Sequence, residues 1–321
     1  MLDPADCGPA FIGLPQDVQG WCYNYPEQLF EKKVHRIRRS APDKEDIKEA
    51  VKVLKTAKRP IIIAGGGVQY SGAVESLSEF AEAYKIPVVE TIAGRANMLA
   101  THPLNIGPIG VTGSNSANNI AEKADVILAI GTRLQDFTTG SWTAFAQDAK
   151  FVSINAARFD AHKHLSLPVV ADAKVAINSL HEALDGFQTA PDWTANAQKE
   201  RQAWDDYVAL NVSLDNGPNS YAQIIGVVNE LCDPRDRIVT AAGGLPAEVN
   251  ANWRTLNIGT VDIEFGFSCM GYEIAGGWGA RIAQSEREQD SDTIVMVGDG
   301  SYLLLNSDIY SSVLSRKKLI I

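Results

Sequence analysis

TIVMVGDGSYLLLNSDIYSSV, Thr293 to Val313, is the stretch on which the fold turns. An apolar run of buried-strand type, TIVMV, passes straight into Gly298-Asp299-Gly300, and a helical pattern opens at once behind it. In a parallel α/β sheet such a junction lies at the carboxyl end of a strand, where ligands are received. The glycines expose backbone N–H groups, and Asp299 carries the hard oxygen that suits Mg2+. The amides of Gly300 and Ser301 lie where a diphosphate could be met. The competing reading is an ordinary strand-to-helix turn, since Gly-Asp-Gly is also common turn chemistry.

Working upstream, MGYEIAGGWGARIA reads as a glycine-rich helix in which Gly271, Ala275, Gly276 and Gly279 permit close backbone approach. DRIVTAAGG reads as a strand ending in glycines, with a helix after Pro246 and another from Asn219 to Leu231. KKLII reads as the start of a further strand. From Asp43 to about Gly186 strands and helices alternate. Asp43 caps a helix whose apolar Ile47, Val51 and Leu54 recur at helical spacing. The strands RPIIIA, IPVVE, ADVILAI, AKFVSINAA and LPVV follow, with helices around Val74 to Tyr84, at NNIAEK and at DAKVAINSLHEAL. This alternation predicts α/β architecture with doubly wound, mainly parallel sheets. Phe187 to Pro218 reads as a connecting helix and loop anchored by Trp193, Trp204 and Tyr207, and Gly8 to Val18 as a short buried strand ended by Pro15.

Composition narrows the function classes. The 321 residues suit two domains, and the formal net charge of -10 disfavours nucleic acid or an anionic membrane as partner. The one basic cluster, Glu31 to Ser40, reads as a solvated linker face. Cys7, Cys22, Cys232 and Cys269 show neither zinc spacing nor a disulfide framework, which fits a reducing, cytoplasmic setting. No apolar run is long enough to span a membrane.

Other candidates are weaker. Gly65 to Gly67 lack the dinucleotide-binding spacing, and Glu90 supplies the expected downstream acid only loosely. Arg133 could meet a phosphate or merely cap a helix. His162 and His164 read as alternating along an extended segment without a third ligand. No serine-hydrolase or zinc-protease motif is present.

GDGSYLLLNSDIYSSVLSRKKLII resembles the opening of the thiamin diphosphate motif, which begins Gly-Asp-Gly and closes with an Asn after a hydrophobic strand. RPIIIAGGG with KADVILAIGTRLQDF is similar to the central domain of the acetolactate synthase and pyruvate oxidase group, and GPAFIGLPQDV to the closing strand of its pyrimidine-binding domain. LPQDVQGWCYNYPEQLFEKKVHRI, AAGGLPAEVNANW and IEFGFSCMGYEIAGGWG resemble, more narrowly, the branch that hydrolyses a cyclic 1,2-dione in inositol catabolism.

The resemblance implies a thiamin diphosphate-binding fold with a Rossmann-like central domain. Residues 1–20 would be the tail of a pyrimidine-binding domain, 21–42 a linker, 43–186 the central domain, 187–218 a linker and 219–321 an incomplete diphosphate-binding domain. It further implies thiamin diphosphate and Mg2+ as cofactors. Asp299 would hold the metal, and Gly300 and Ser301 would meet the diphosphate opposite Gly243, Gly244 and Leu245. The backbones of Ser268 and Met270 would bind the aminopyrimidine, and the Met270 side chain would prop the cofactor in a bent form. The implied substrate is a cyclic 1,2-diketone, and the implied assembly a homodimer or higher.

Two parts of the family pattern have no counterpart in the sequence. The activating Glu belongs to the amino-terminal domain, so no catalytic side chain is assigned, and Glu90, Glu264 and Glu273 do not inherit the role. The closing Asn is likewise absent. The chain is therefore expected to be a fragment that binds cofactor weakly and does not turn over. Two rivals are an acetolactate synthase-like carboligase, with FAD against Gly65 to Gly67 and Arg133, and a non-catalytic module binding NAD or ADP in the central domain.

Overall fold

A computed structural model describes residues 2–214 and 217–321. Met1, and Asp215 and Asn216 within the expected second linker, lie outside the described residues.

The first sheet grows from a run of βα units. Its elements are α1 (Lys44–Lys55), β1 (Pro60–Ala64), α2 (Gly66–Tyr70), α3 (Val74–Tyr84), β2 (Val88–Glu90), β3 (Asn105–Pro108), α4 (Asn115–Lys123) and β4 (Val126–Ile130). There follow α5 (Asp136–Thr139), β5 (Lys150–Asn155), α6 (Arg158–Ala161), β6 (Leu167–Val170) and α7 (Ala173–Ala183). The strands are all parallel in the order β3-β2-β1-β4-β5-β6, which is the doubly wound order expected from the alternation.

The two-residue period of the strands divides the core. Ile62, Ala64, Val88, Leu128, Ile130, Val152 and Ile154 face α1, α3 and α7. Ile61, Ile63, Val89, Ile127 and Ala129 face α4 and, from α8 (Pro191–Ser213), Trp193 and Ala197. With helices on both faces, β1 and β4 are buried at every position, which is why they read as unbroken apolar runs. Asp43 caps α1 through Glu45 N, and Asp172 caps α7 through Lys174 N and Val175 N. Asp172 also takes Arg39 Nη1 at 2.7 Å, so one member of the otherwise exposed basic cluster is tied to the sheet.

The second sheet comprises β7 (Arg237–Thr240), β8 (Val261–Ile263) and β9 (Thr293–Val295), parallel in the order β8-β7-β9. Around it stand α9 (Tyr221–Leu231), α10 (Gly244–Asn252), α11 (Tyr272–Glu286), α12 (Asp299–Leu304) and α13 (Asp308–Leu314). Ser220 and Gln223 close a capping box at the start of α9. Ile92 and Ala96, from the loop after β2, pack into the core of this sheet beside Ile225, Val249, Trp253 and Phe265.

Several expectations are corrected. Gly8 to Val18 forms no strand, and Phe11 is 96% exposed; no described strand lies beside the segment, and an extended run cannot hold its backbone bonds without a neighbour. His162 and His164 are not extended. They follow α6 in a tight turn where His164 adopts φ 52 and stacks on Trp142. The helix expected after Pro246 begins two residues earlier, with Pro246 in its first turn, where a missing N–H costs nothing. KKLII contributes a single bridge between Ile320 and Ile294. Of the residues expected to permit close approach around α11, Gly271 does so, since a Cβ there would stand 2.8 Å from Leu305 Cβ, whereas a Cβ on Gly279 would meet nothing within 4 Å; Gly277, outside that reading, makes the approach to β9, with a Cβ 2.5 Å from Val295 Cγ2.

Candidate functional site

The carboxyl ends of β8, β7 and β9 lie side by side, and each runs into a turn that starts a helix. After β7 the chain passes Ala241 and Ala242 to Gly243, whose φ of 103 and ψ of -167 only glycine adopts freely, and then enters α10 at Gly244 and Leu245. Gly243 and Gly244 are exposed, and a Cβ on Gly243 would meet nothing within 4 Å, so this turn opens to solvent.

After β8 the loop Glu264 to Gly271 is shaped by a carboxylate: Glu264 accepts from Phe267 N at 3.1 Å and Cys269 N at 2.8 Å. Ser268 takes the left-handed conformation, φ 55, and Gly271 does so at φ 93 before α11 begins. Among the described residues, no hydrogen bond within the chain engages the backbone of Ser268 or Met270. The Met270 side chain is half exposed.

After β9 the chain reaches Gly298, Asp299, Gly300 and Ser301. Asp299 is exposed and its Oδ1 accepts from Gly300 N at 2.9 Å, so that amide, expected to face a phosphate, is turned to its neighbour's carboxylate. Ser301 is buried. A Cβ on Gly300 would stand 3.4 Å from Met270 Cε, which places the Met270 tip directly against the Asp299–Gly300 turn. The Thr240 hydroxyl donates to Met296 O at 2.8 Å and ties β7 to β9 beyond the ladder.

Glu273 lies at the centre of these turns, wholly buried. It accepts from Ala242 N at 3.4 Å, Gly271 N at 2.9 Å and Ser301 Oγ at 2.9 Å. Gly243 to Leu245, Ser268 to Gly271 and Asp299 to Ser301 thus form one constellation, although they are spread over three strands. The sequence marks Glu273 only as an acidic residue in the first turn of a helix.

The central-domain candidates have a different explanation. A Cβ on Gly65 would stand 2.3 Å from Gly131 O, and one on Gly67 2.6 Å from Gly131 Cα, so the glycine triplet and Gly131 are needed for two turns to touch. Gly66, Gly67, Thr132, Arg133 and Asn155 nonetheless line a cleft of about 810 Å³ above β1, β4 and β5. Arg133 reaches toward the β8 loop, where a Cβ on Gly266 would stand 3.0 Å from its Nη2. Glu90 is buried against Arg95, with Nη1 to Oε2 at 2.5 Å, and burial pushes its carboxyl up despite the Arg95 guanidinium and the Met98 N–H. Glu90, Glu264 and Glu273 are all engaged in holding the fold.

The thiamine pyrophosphate enzyme central domain matches residues 47–180, and the thiamine pyrophosphate enzyme C-terminal TPP binding domain matches residues 242–321. The chain belongs to the thiamine pyrophosphate enzymes. It is 39% identical, over 99% of its length, to a 3D-(3,5/4)-trihydroxycyclohexane-1,2-dione hydrolase from Geobacillus thermodenitrificans, of which it covers 53%. The same figures hold for 3D-(3,5/4)-trihydroxycyclohexane-1,2-dione hydrolase 1 from Bacillus cereus, and a Bacillus anthracis relative of that name is 38% identical. The chain spans about half the length of these relatives.

The cofactor of this family, thiamin diphosphate, fits the residues present. Gly243, Gly244, Asp299 and Gly300 are exposed at two strand ends, and the backbone groups of Ser268 and Met270 have no hydrogen-bond partner among the described residues. No cluster of three or more His, Cys, Asp or Glu suited to a metal occurs among the described residues. A lone carboxylate beside a diphosphate is nonetheless a donor set that Mg2+ accepts, because Mg2+ completes its shell with phosphate oxygens and water. No helix among the described residues is long and apolar enough to cross a membrane.

Proposed function

We propose that this chain holds the cofactor of a thiamin diphosphate-dependent hydrolase that opens the ring of 3D-(3,5/4)-trihydroxycyclohexane-1,2-dione, giving 5-deoxy-glucuronate in inositol catabolism. The observation that carries the reading is the meeting of Asp299–Gly300, Met270 and the Gly243–Gly244 turn at three adjacent strand ends. In this reading residues 219–321 are the diphosphate-binding domain, 43–186 the central domain, 1–20 the tail of a pyrimidine-binding domain, and 21–42 and 187–218 connect them.

When bound, thiamin diphosphate supplies a carbon nucleophile and an electron sink. Asp299 would hold Mg2+ beside the diphosphate. The amides of Gly244 and Leu245 at the start of α10 would receive the diphosphate on one side and those of Gly300 and Ser301 on the other, which requires that Gly300 N be released from Asp299 Oδ1. Ser268 and Met270 would hold the aminopyrimidine through their main chains, and the Met270 side chain would prop the cofactor. Glu90, Glu264 and Glu273 are each engaged by groups of the fold, so proton transfer at the ring is assigned to none of them. The whole enzyme is a cytoplasmic homodimer or higher; exposed Leu303, Leu304, Tyr310, Val313 and Leu314 on α12 and α13, flanking the site, support assembly.

Calorimetric titration tests the reading. The chain is expected to bind thiamin diphosphate weakly and only with Mg2+, to lose that binding in Asp299→Ala, and not to hydrolyse the dione alone. Binding indifferent to both Mg2+ and Asp299→Ala overturns it. The central cleft of about 810 Å³ supports a second reading, a carboligase or a nucleotide-binding module with FAD, NAD or ADP there. Flavin absorbance in the purified protein, or nucleotide binding unaffected by Asp299→Ala, selects that reading.

A further inference from the structure

We propose that Glu273 is the positioning residue that locks the three turns of the cofactor site in register. The inference rests on the proposed thiamin diphosphate site and adds a residue to it. Glu273 is wholly buried, and each group touching it is a neutral donor: Ala242 N and Ser301 Oγ at Oε1, Gly271 N at Oε2. Ser301 Oγ in turn accepts from Gly271 N at 3.1 Å, which closes a ring of bonds. A buried carboxylate without a cation is costly unless its oxygens are satisfied, so its retention at this point calls for a compensating role.

Its three partners come from the three strand ends. Ala242 precedes the Gly243–Gly244 turn, Gly271 follows Met270, and Ser301 follows Asp299 and Gly300. One side chain therefore fixes the separation between both diphosphate-facing turns and the Met270 prop. Its place in the first turn of α11 adds favourable interaction with the helix N-terminus.

Glutamine has nearly the same shape but only one acceptor. In either orientation its NH2 is set against a backbone N–H: at Ala242 that donor loses its acceptor, and at Gly271 the N–H keeps only Ser301 Oγ and faces a second donor. The register then loosens without any loss of volume.

Backbone hydrogen exchange and cofactor titration on the 321-residue chain test this. In Glu273→Gln, exchange at Ala242 and Gly271 is expected to rise at least tenfold while Ile62 and Leu128 of the central sheet are unchanged. Mg2+-dependent thiamin diphosphate binding should weaken at least tenfold. Ser301→Ala should weaken it too, and the double variant should lose less than the product of the two single losses, because the pair acts as a unit. Unchanged exchange at Ala242 and Gly271, or affinity within twofold of wild type, overturns the proposal, even if the denaturation midpoint falls. Wild-type protein that takes up no cofactor refutes the proposed function instead, and the exchange result then decides the lock by itself.

Discussion

Replacing Arg95 by methionine should expose how strongly the two sheets depend on one buried ion pair. Arg95 is 4% exposed and Glu90 not at all. Arg95 Nη1 meets Glu90 Oε2 at 2.5 Å, and Nη2 donates to Trp253 O at 2.6 Å, so a guanidinium from the first sheet grips the end of α10 in the second. Removing one partner of a buried pair costs about 3–5 kcal/mol, because the other charge is left uncompensated. The Trp253 carbonyl loses its donor in the same step.

The loss should depend on pH with a definite sign. Burial already raises the Glu90 carboxyl above its ordinary 4.5, and without Arg95 it rises further. A folded-state value above the unfolded one means that the folded protein keeps a proton that the unfolded chain has released. Stability in Arg95→Met therefore falls as pH climbs from about 4.5 through the folded value, by at most about 1.4 kcal/mol per pH unit. Urea denaturation at pH 5.5 and pH 7.5, followed by tryptophan fluorescence, reads this directly because Trp253 lies in the contact. The midpoint deficit should be larger at pH 7.5. Glu90→Gln combined with Arg95→Met removes both charges yet leaves an acceptor for Met98 N, and should recover most of the loss. A deficit under about 1 kcal/mol, or one equal at both pH values, would mean that no charge is stranded there and would refute the reasoning.

Two further outcomes follow from other contacts. Gly277→Ala should destabilise by about 1–3 kcal/mol, since its Cβ would press on Val295, whereas Gly279→Ala, in open space on the same helix, should stabilise by up to about 1 kcal/mol; thermal denaturation ranks the pair. The Asp233 carboxyl is held down to about 2 by the Arg235 side chain and backbone N–H. A depressed folded-state value gives stability that is present above the unfolded value of 3.8 and lost as pH falls toward 2, so Asp233→Asn should flatten the pH dependence of the denaturation midpoint across that window.

What the sequence made legible follows from where each element derives its stability. β1 and β4 were readable because burial on both faces removes polar residues from the run, and α1, α7 and α9 because their caps are local side-chain chemistry. β3, reading Asn-Ile-Gly-Pro, carries no strand signal: it exists because β2 offers an edge, and its register shifts between Val88 and Val89. β8 is only three residues long. Helical spacing in α11 indicated that small residues matter but could not say which face meets β9, so the reading included Gly279, which meets nothing, and left out Gly277, which meets Val295. Asp299, Gly300 and the Gly243–Gly244 turn were legible as glycine-flanked strand ends. Glu273 was not, because two of its three partners, Ala242 and Ser301, lie 31 and 28 positions away on either side and only the β8-β7-β9 order brings them together.

The same order explains what the central domain contributes to the site. α10 begins at the turn proposed to receive the diphosphate, so a shift of its axis would move Gly244 and Leu245 directly. Its far end is held by Arg95 on Trp253 O, and Asn250 Nδ2 donates to Thr112 O at 2.9 Å, both contacts made by the first sheet's loops. Val249 and Trp253 pack with Ile92 and Ala96 from the same side. The loops after β2 and β3 thereby act as an abutment for α10, while Gly65, Gly67 and Gly131 are occupied in making their own turns fit. A central domain can in this way be indispensable to cofactor geometry while contributing no atom to the cofactor. Arg95→Met should accordingly weaken Mg2+-dependent thiamin diphosphate binding as well as stability, measured by titration at a urea-free pH where the variant is still folded; affinity equal to wild type would show that α10 keeps its place without the grip.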